Sequence, residues 1–110
     1  MTLEETEGFK EKWNINIKRV YKAVKANDIP MIVKELTHLE NSLNCIPTSA
    51  PKEISQAVEN DIERVDDLDE AMDLFIECKD TKIDPDNLLD IMRARVAVGA
   101  LLRFIKEKGN

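Results

Sequence analysis

Residues that interrupt regular structure are scarce in this sequence. Its 110 residues include only 3 glycines and 4 prolines, and aromatic side chains make up 5%. Leu, Ile, Val, Glu and Lys are abundant instead, which is typical of a helical bundle. Because 43% of the residues are apolar, the chain is too hydrophobic to be disordered. The length suits one hydrophobic core, so we predict a single helical domain over residues 1–110.

Long hydrophobic runs are absent as well. The most apolar stretch, from Val96 to Ile105, contains Arg103 and is about half as long as the ~20 residues that span a bilayer. The first residues, Met1 to Glu5, have neither the basic start nor the apolar run of a signal peptide. We therefore expect no membrane partner and an intracellular, cytoplasmic protein, with a nuclear location left open.

Cysteine and histidine are too few for most metal sites and catalytic triads. Cys45 and Cys78 lack the Cys-x-x-Cys spacing of zinc sites, so we expect two buried thiols in a reducing cytosol, with one disulfide as the alternative. The only histidine, His38, follows Glu35 at the spacing used by bundles that bind two iron or manganese ions, but those need two such pairs. We therefore predict no enzyme, no cofactor and no metal. A metal-binding bundle is a weak alternative that requires a symmetric dimer.

The periodicity of apolar residues predicts an all-α fold, an antiparallel bundle of about four helices with short connections. Thr2 and Glu5 have the spacing of a capping box, and Asp28 is an N-cap residue with a proline in the turn that follows. The last helix has Asp84 as its N-cap and Pro85 at its first position. The predicted helices cover approximately residues 3–26, 29–44, 51–79 and 85–108.

The third of these helices has two interpretations. Asp67 and Glu70 could cap a new helix that begins at Leu68. The apolar residues from Ile54 to Ile76 nevertheless stay on one face at about 100° per residue, without a change of phase. We therefore predict one long helix. Because the first and last helices are basic, we expect this acidic helix to pack between them.

Acidic side chains are concentrated on this third helix. Between Lys52 and Asp73, nine carboxylates stand against two basic side chains. The stretch has no glycine and follows helical spacing, which excludes an EF-hand calcium loop. A solvated helix face is the simplest interpretation, and a docking surface for a basic partner is the functional one. The candidate partner-binding residues are Asp66, Asp67, Asp69, Glu70 and Asp73.

The last helix has more apolar surface than one face can hold. From Val96 to Ile105 it is apolar nearly all round, so it must be covered on every side. Either it is the centre of the bundle or part of it meets another chain, and Gly99 within it indicates close approach by a neighbouring helix. The candidate residues for self-association as a homodimer are Val98, Leu101, Phe104 and Ile105.

These observations favour a non-enzymatic protein–protein interaction module, a helical adaptor or regulatory subunit. The alternative is an acidic helical inhibitor, of the immunity type, that neutralises a basic enzyme or toxin. Nucleic acid is not an expected partner, because a formal net charge of −6 opposes binding to phosphates. Basic faces in residues 10–25 and 93–108 leave that alternative open.

Overall fold

The computed structural model describes residues 2–46, 51–80 and 83–109, and it is an all-α bundle. Packed helices within these ranges confirm the predicted fold class. The described residues form five helices, one more than predicted, because the third predicted helix is divided. The helices are α1 (Leu3–Lys25), α2 (Ile29–Asn44), α3 (Pro51–Glu63), α4 (Leu68–Asp80) and α5 (Leu88–Gly109). Among these residues no helix is long and apolar enough to cross a membrane.

The first two helices begin where the sequence predicts. The Thr2 hydroxyl oxygen accepts a hydrogen bond from the Glu5 backbone N–H at 3.2 Å and so caps α1. At the other end of α1, Asn27 adopts a left-handed conformation with φ 54°, and Asp28 N donates to the Ala23 carbonyl at 3.0 Å. This is a Schellman-type helix end. The same residue, Asp28, also caps α2, because its carboxylate accepts a hydrogen bond from Met31 N. Two adjacent residues therefore end one helix and start the next.

The prediction of one helix over 51–79 is wrong. The chain leaves helical geometry between Arg64 and Asp67, and the new helix α4 begins at Leu68. The Asp67 carboxylate accepts from Glu70 N at 2.8 Å, and the Glu70 carboxylate reaches back to Asp66 N at 3.0 Å. This reciprocal pair is the capping box that the sequence contained, with Glu70 bonded one residue before the N-cap. Local hydrogen bonding therefore outweighs the continuous hydrophobic phase.

The predicted start of the last helix is also wrong. Asp84 does not cap it, because the Asp84 carboxylate accepts from Asp86 N at 2.9 Å within a turn. The cap is Asn87, whose side-chain oxygen accepts from Leu89 N at 3.0 Å. Helix α5 consequently begins at Leu88, and Pro85 is a buried turn residue ahead of it. An Asp-Pro pair serves a turn as well as a helix start, which is why the pattern misled.

Helix α5 is the centre of the bundle. It packs against α2, α3 and α4, while α1 packs against α2 and, over a smaller area, against α4. Most of the apolar surface from Val96 to Ile105 is therefore covered within one chain, and Val96 and Phe104 are half-buried. The buried residues of α5 are Ile91, Ala94, Ala97, Val98, Ala100, Leu101, Leu102 and Ile105.

Close approach of α3 explains the glycine within α5. A Cβ atom added at Gly99 would lie 2.5 Å from Cδ1 of Ile62, which α3 presents to this point. Real Cβ atoms do not approach other carbon atoms so closely, so a side chain at this position would displace Ile62. The expectation that Gly99 marks close packing with a neighbouring helix is confirmed.

Charge contributes little to how the helices are arranged. The three ion pairs found among the described residues are local in sequence and partly exposed, so each stabilises the fold only slightly. Between helices, Arg95 donates to the Asn44 side-chain oxygen at 2.9 Å, and the Lys79 ammonium lies 4.8 Å from the centre of the Tyr21 ring. Of the two described helices that replace the predicted acidic helix, α4 contacts both α1 and α5, whereas α3 contacts α5 but not α1.

Candidate functional site

The five predicted partner-binding carboxylates lie together around the start of α4, and all five residues are exposed. Asp67 and Glu70 carry the capping hydrogen bonds that begin this helix, so part of their charge serves the fold. The side chains of Asp66, Asp69 and Asp73 have no capping role. Their exposure suits either a solvated face or a contact with a basic partner, and partner binding stays a prediction.

An apolar groove adjoins this acidic surface. It runs between α4 and α5, encloses about 480 Å³, and we call it the α4–α5 groove. Val65 and Ile83 are buried at its base, whereas the Leu89 side chain at its edge is 66% exposed. Exposed leucine beside a concave apolar surface is a feature of docking sites. Its principal apolar lining residues are Val65, Leu74, Ile83, Leu89, Met92 and Val96.

The charged residues that line the groove are mostly acidic. Asp61 is already paired with Arg64 at 3.2 Å. The remaining charges are three carboxylates and a single guanidinium, so the groove has an excess of negative charge. These residues are Glu70, Glu77, Asp90 and Arg93. Glu70 belongs both to the groove and to the acidic surface at the start of α4, which makes the two continuous.

The two cysteines are free and lie in different surroundings. Cys78 lines the α4–α5 groove, and its burial, together with the Glu77 carboxylate, raises the pKa of its thiol to about 11. Arg93 lowers the pKa by less, and Asp90 raises it. Cys78 is therefore protonated at neutral pH and is a poor nucleophile. Cys45 is exposed at the end of α2, so the expectation that both thiols are buried is wrong for this residue.

Three of the four predicted self-association residues lie inside the chain. Val98, Leu101 and Ile105 are at most 4% exposed, and Phe104 is half-buried against the same core. Packing by α2, α3 and α4 accounts for the apolar surface from which self-association was predicted. Homodimerisation stays a prediction, but these three side chains are not accessible to a second copy.

The predicted Glu35–His38 pair lines a polar cavity and does not join other metal-coordinating side chains among the described residues. Glu35 is buried at 6% exposure, whereas His38, one turn later on α2, is exposed. Among the described residues no group of three His, Cys, Asp or Glu side chains is arranged to hold a metal ion. This cavity is an open depression between α1 and α2, and Asn16 and Arg19 of α1 also line it.

The α4–α5 groove was not predicted from the sequence, although a signal for it was present. Leu88, Leu89, Ile91 and Met92 are four apolar residues within five positions, and at about 100° per residue they spread over an arc of about 160°, which is wider than a narrow helix seam. The structure buries Ile91 and leaves Leu88 and Leu89 exposed at 43% and 66%. The run therefore indicated surplus apolar surface at the start of α5, not at its end.

Comparison of the chain with protein-family models, with curated proteins and with solved structures finds no match. The class of protein is accordingly defined by its fold and surfaces, an all-α bundle with an apolar groove beside an acidic surface. Function has to be argued from those surfaces, because a fold by itself does not imply one.

Proposed function

We propose that this protein is a non-enzymatic protein–protein interaction module that binds a basic amphipathic helical segment of a partner protein in the α4–α5 groove. The observation that carries the proposal is the combination of apolar lining and acidic surroundings in that one groove. Amphipathic helices are commonly bound in such grooves through apolar residues spaced three or four apart.

The apolar part of the argument is the surface that a partner would cover. Leu89 is 66% exposed, and Leu74, Met92 and Val96 are half-buried along the groove. Covering a leucine side chain stabilises a complex by about 1.5–3 kcal/mol, so a few such contacts carry a useful share of the binding free energy. The buried residues Val65 and Ile83 keep the base of the groove formed without a partner.

The electrostatic part of the argument is the sign of the surrounding charge. Glu70 and Glu77 are exposed, and Asp66, Asp69 and Asp73 extend the negative surface beyond the groove. Lysine and arginine side chains that flank an apolar helix face would meet these carboxylates. Such complementarity accelerates association and rejects acidic partners, and salt screens it.

A synthetic peptide pair tests the proposal directly. One labelled amphipathic helix has leucines on one face and lysines on the other, and its matched control has glutamates in place of the lysines. We expect saturable binding of the lysine peptide by fluorescence anisotropy, weakening as salt rises, and none of the glutamate peptide. Equal binding of both peptides, or of a scrambled lysine peptide, would contradict a site for an amphipathic basic helix.

Two matched substitutions locate the binding. Leu89→Ser removes apolar surface from the groove, and Leu3→Ser removes a comparably exposed leucine, 77% exposed, from the start of α1. We expect the first to weaken binding about tenfold and the second to have no effect. Glu77→Lys should weaken binding at low salt, whereas Glu11→Lys on α1 should not. If Leu3→Ser and Leu89→Ser behave alike, the peptide does not occupy the groove.

A second candidate function, an acidic inhibitor of a basic enzyme or toxin, is favoured by the exposure of Asp66, Asp69 and Asp73. In that case the attraction between opposite charges supplies most of the binding free energy, and the apolar groove contributes little to it. Reversing these three charges would then abolish binding of a basic protein while Leu89→Ser leaves it intact. The opposite result favours the interaction module.

A further inference from the structure

The charges around the α4–α5 groove are divided unequally between its two walls. The wall formed by α4 carries three exposed carboxylates, those of Glu70, Asp73 and Glu77. At about 100° per residue these three positions stay within an arc of about 60°, and they extend about 10 Å along the helix. Glu70 and Glu77 line the groove itself, and Asp73 lies between them on the same flank of α4. The α4 wall therefore bears a row of negative charges, which we call the α4 acidic row.

The exposed charge on the wall formed by α5 has the opposite sign. Arg93 is exposed and lines the groove, and none of the ion pairs among the described residues involves it. Asp90, the acidic residue of this wall, is half-buried, and its carboxylate accepts a hydrogen bond from Asp84 N at 3.2 Å. One turn before Arg93 lies Leu89, whose side chain is 66% exposed. The α5 wall therefore presents the Arg93 guanidinium beside an apolar side chain.

Charges from both walls act inside the groove. Burial is the main cause that raises the pKa of the Cys78 thiol to about 11, the Glu77 carboxylate adds to this rise, and the Arg93 guanidinium opposes it. Interactions between charges weaken with distance, so both side chains lie close to this groove residue. A helix seated over Cys78 would therefore meet Glu77 on one side and Arg93 on the other.

An amphipathic helix in the groove has its apolar face against the lining residues and one flank against each wall. Lysine or arginine side chains on the flank next to α4 are attracted by the α4 acidic row. The same side chains on the other flank approach Arg93, and like charges brought together in an interface oppose binding. A glutamate on that flank is attracted instead. Because reversal of the helix direction exchanges its flanks, a helix with cations on one flank only is also bound in one direction.

We propose that the α4–α5 groove selects a helix whose cations lie along one flank, and that Arg93 determines this specificity by repelling cations on the other flank. The inference rests on the proposed function, because it concerns the helix bound in that groove. The cations that fit the α4 acidic row are spaced three, four or seven residues apart, as its carboxylates are. The partner segment is thus a helix that is basic on one flank and uncharged or acidic on the other.

Three labelled peptides of equal length test this specificity with the full-length protein. All have the same leucine face and the same lysine flank, and the second flank carries glutamate, glutamine or lysine. Fluorescence anisotropy at physiological salt measures the Kd of each peptide. We expect the peptide with glutamate on its second flank to bind at least about threefold tighter than the one with lysine there, with the glutamine peptide between them. Net charge alone predicts the reverse order, because the protein has a formal net charge of −6.

Substitution of Arg93 separates the charge of the α5 wall from the properties of the peptides themselves. In the Arg93→Glu variant the order should reverse, so that the peptide with lysine on both flanks binds at least about threefold tighter than the glutamate peptide. Arg93→Gln should give an intermediate preference. Arg103→Glu is the matched control, because it makes the same change of charge at an exposed position of α5 outside the groove, and it should keep the original order. Because Arg93 is exposed, both variants should remain folded, which circular dichroism checks.

Two results would overturn the specificity of Arg93 and leave the proposed function intact. One is a ratio of the peptide Kd values that neither Arg93→Glu nor Arg93→Gln changes. The other is an equal change of that ratio in the Arg93→Glu and Arg103→Glu variants, which would assign the preference to the net charge of the protein. If none of the three peptides binds the unsubstituted protein, the proposed function and this specificity are both wrong.

Discussion

The two sides of α5 are packed to very different degrees. On the side of α2, Leu36 and Leu39 are completely buried and belong to the continuous core. On the side of α3, Ile54 and Val58 are each 7% exposed and lie outside that core cluster. A space of about 230 Å³ remains between α2, α3 and α5, and Arg95 Nε is buried there without a hydrogen-bond partner among the described residues.

This difference indicates that α3 is the least strongly held helix of the described bundle. Within the described residues α3 contacts α5 alone, whereas α1, α2 and α4 each contact two helices. Local stability follows the number of buried apolar contacts, so such an element opens at a lower free energy than the rest. Four predictions test the comparison, beginning with the largest expected effect.

Truncation of the core on each side of α5 should have unequal consequences. We expect Leu36→Ala to lower the free energy of unfolding by about 2–5 kcal/mol, because Leu36 is fully buried in the continuous core. Val58→Ala should lower it by less than half as much, since it removes less volume from a looser site. Urea unfolding followed by the fluorescence of buried Trp13 measures both changes. Equal losses would show that α3 is as well packed as α2.

A large side chain at Gly99 should displace α3 specifically. We expect Gly99→Leu to destabilise the protein by about 1–3 kcal/mol through overpacking against Ile62. Gly99→Ala should be nearly neutral, because the Ile62 terminus can rotate away and alanine favours the helix by up to about 1 kcal/mol. In the Gly99→Leu variant, hydrogen exchange of the backbone amides should accelerate in α3 and remain slow around Leu36. Acceleration throughout the bundle would mean that α3 is not a separate unit.

Loss of the cap at the break should weaken the start of α4. We expect Asp67→Ala to lower the free energy of unfolding by about 1 kcal/mol, because it removes the acceptor for Glu70 N. Asp67→Asn keeps an acceptor and should cost little, while Thr2→Ala provides a matched cap deletion at α1. An increase in helical circular dichroism together with higher stability in Asp67→Ala would show that α3 and α4 favour one continuous helix.

The smallest expected effect concerns the pH dependence due to Cys78 on the α4 side of α5. Burial and Glu77 raise the pKa of this thiol from 9.0 to about 11. The unfolded chain therefore loses its proton first, so this contribution to stability is complete below about pH 9 and is lost as the pH rises towards 11. The Cys78→Ala variant should lose stability less steeply between about pH 9 and pH 11 than the unsubstituted protein. The Cys45→Ala variant, which removes the exposed thiol, should show the same pH dependence of the free energy of unfolding as the unsubstituted protein.

The sequence predicted the helices best where a local signal and the hydrophobic pattern agree. Thr2 and Asp28 cap helices as predicted, because a cap depends on hydrogen bonds that span only three residues. The break at Asp67 was missed because two local signals conflicted, and the capping box proved stronger than a continuous apolar phase. Asp84 was misassigned because the same residue type serves a turn and a helix start.

The candidate surfaces were predictable only in part. The exposure of the five carboxylates around the start of α4 follows from their charge, since charge is rarely buried without a partner. The location of Leu89 at the edge of a groove depends on where α4 packs against α5, and no local sequence pattern predicts that position. The burial of Glu35 likewise depends on how closely α1 covers α2.

The all-α character, the acidic charge and most helix ends are consequences of the sequence alone, because propensity, periodicity and capping act within a few residues. Only the tertiary structure decided that Val98, Leu101 and Ile105 are covered by their own chain, and that free apolar surface lies at Leu88 and Leu89. Burial is a property of what packs against a residue. A helix that is apolar all round looks the same in sequence whether its cover comes from its own bundle or from another molecule.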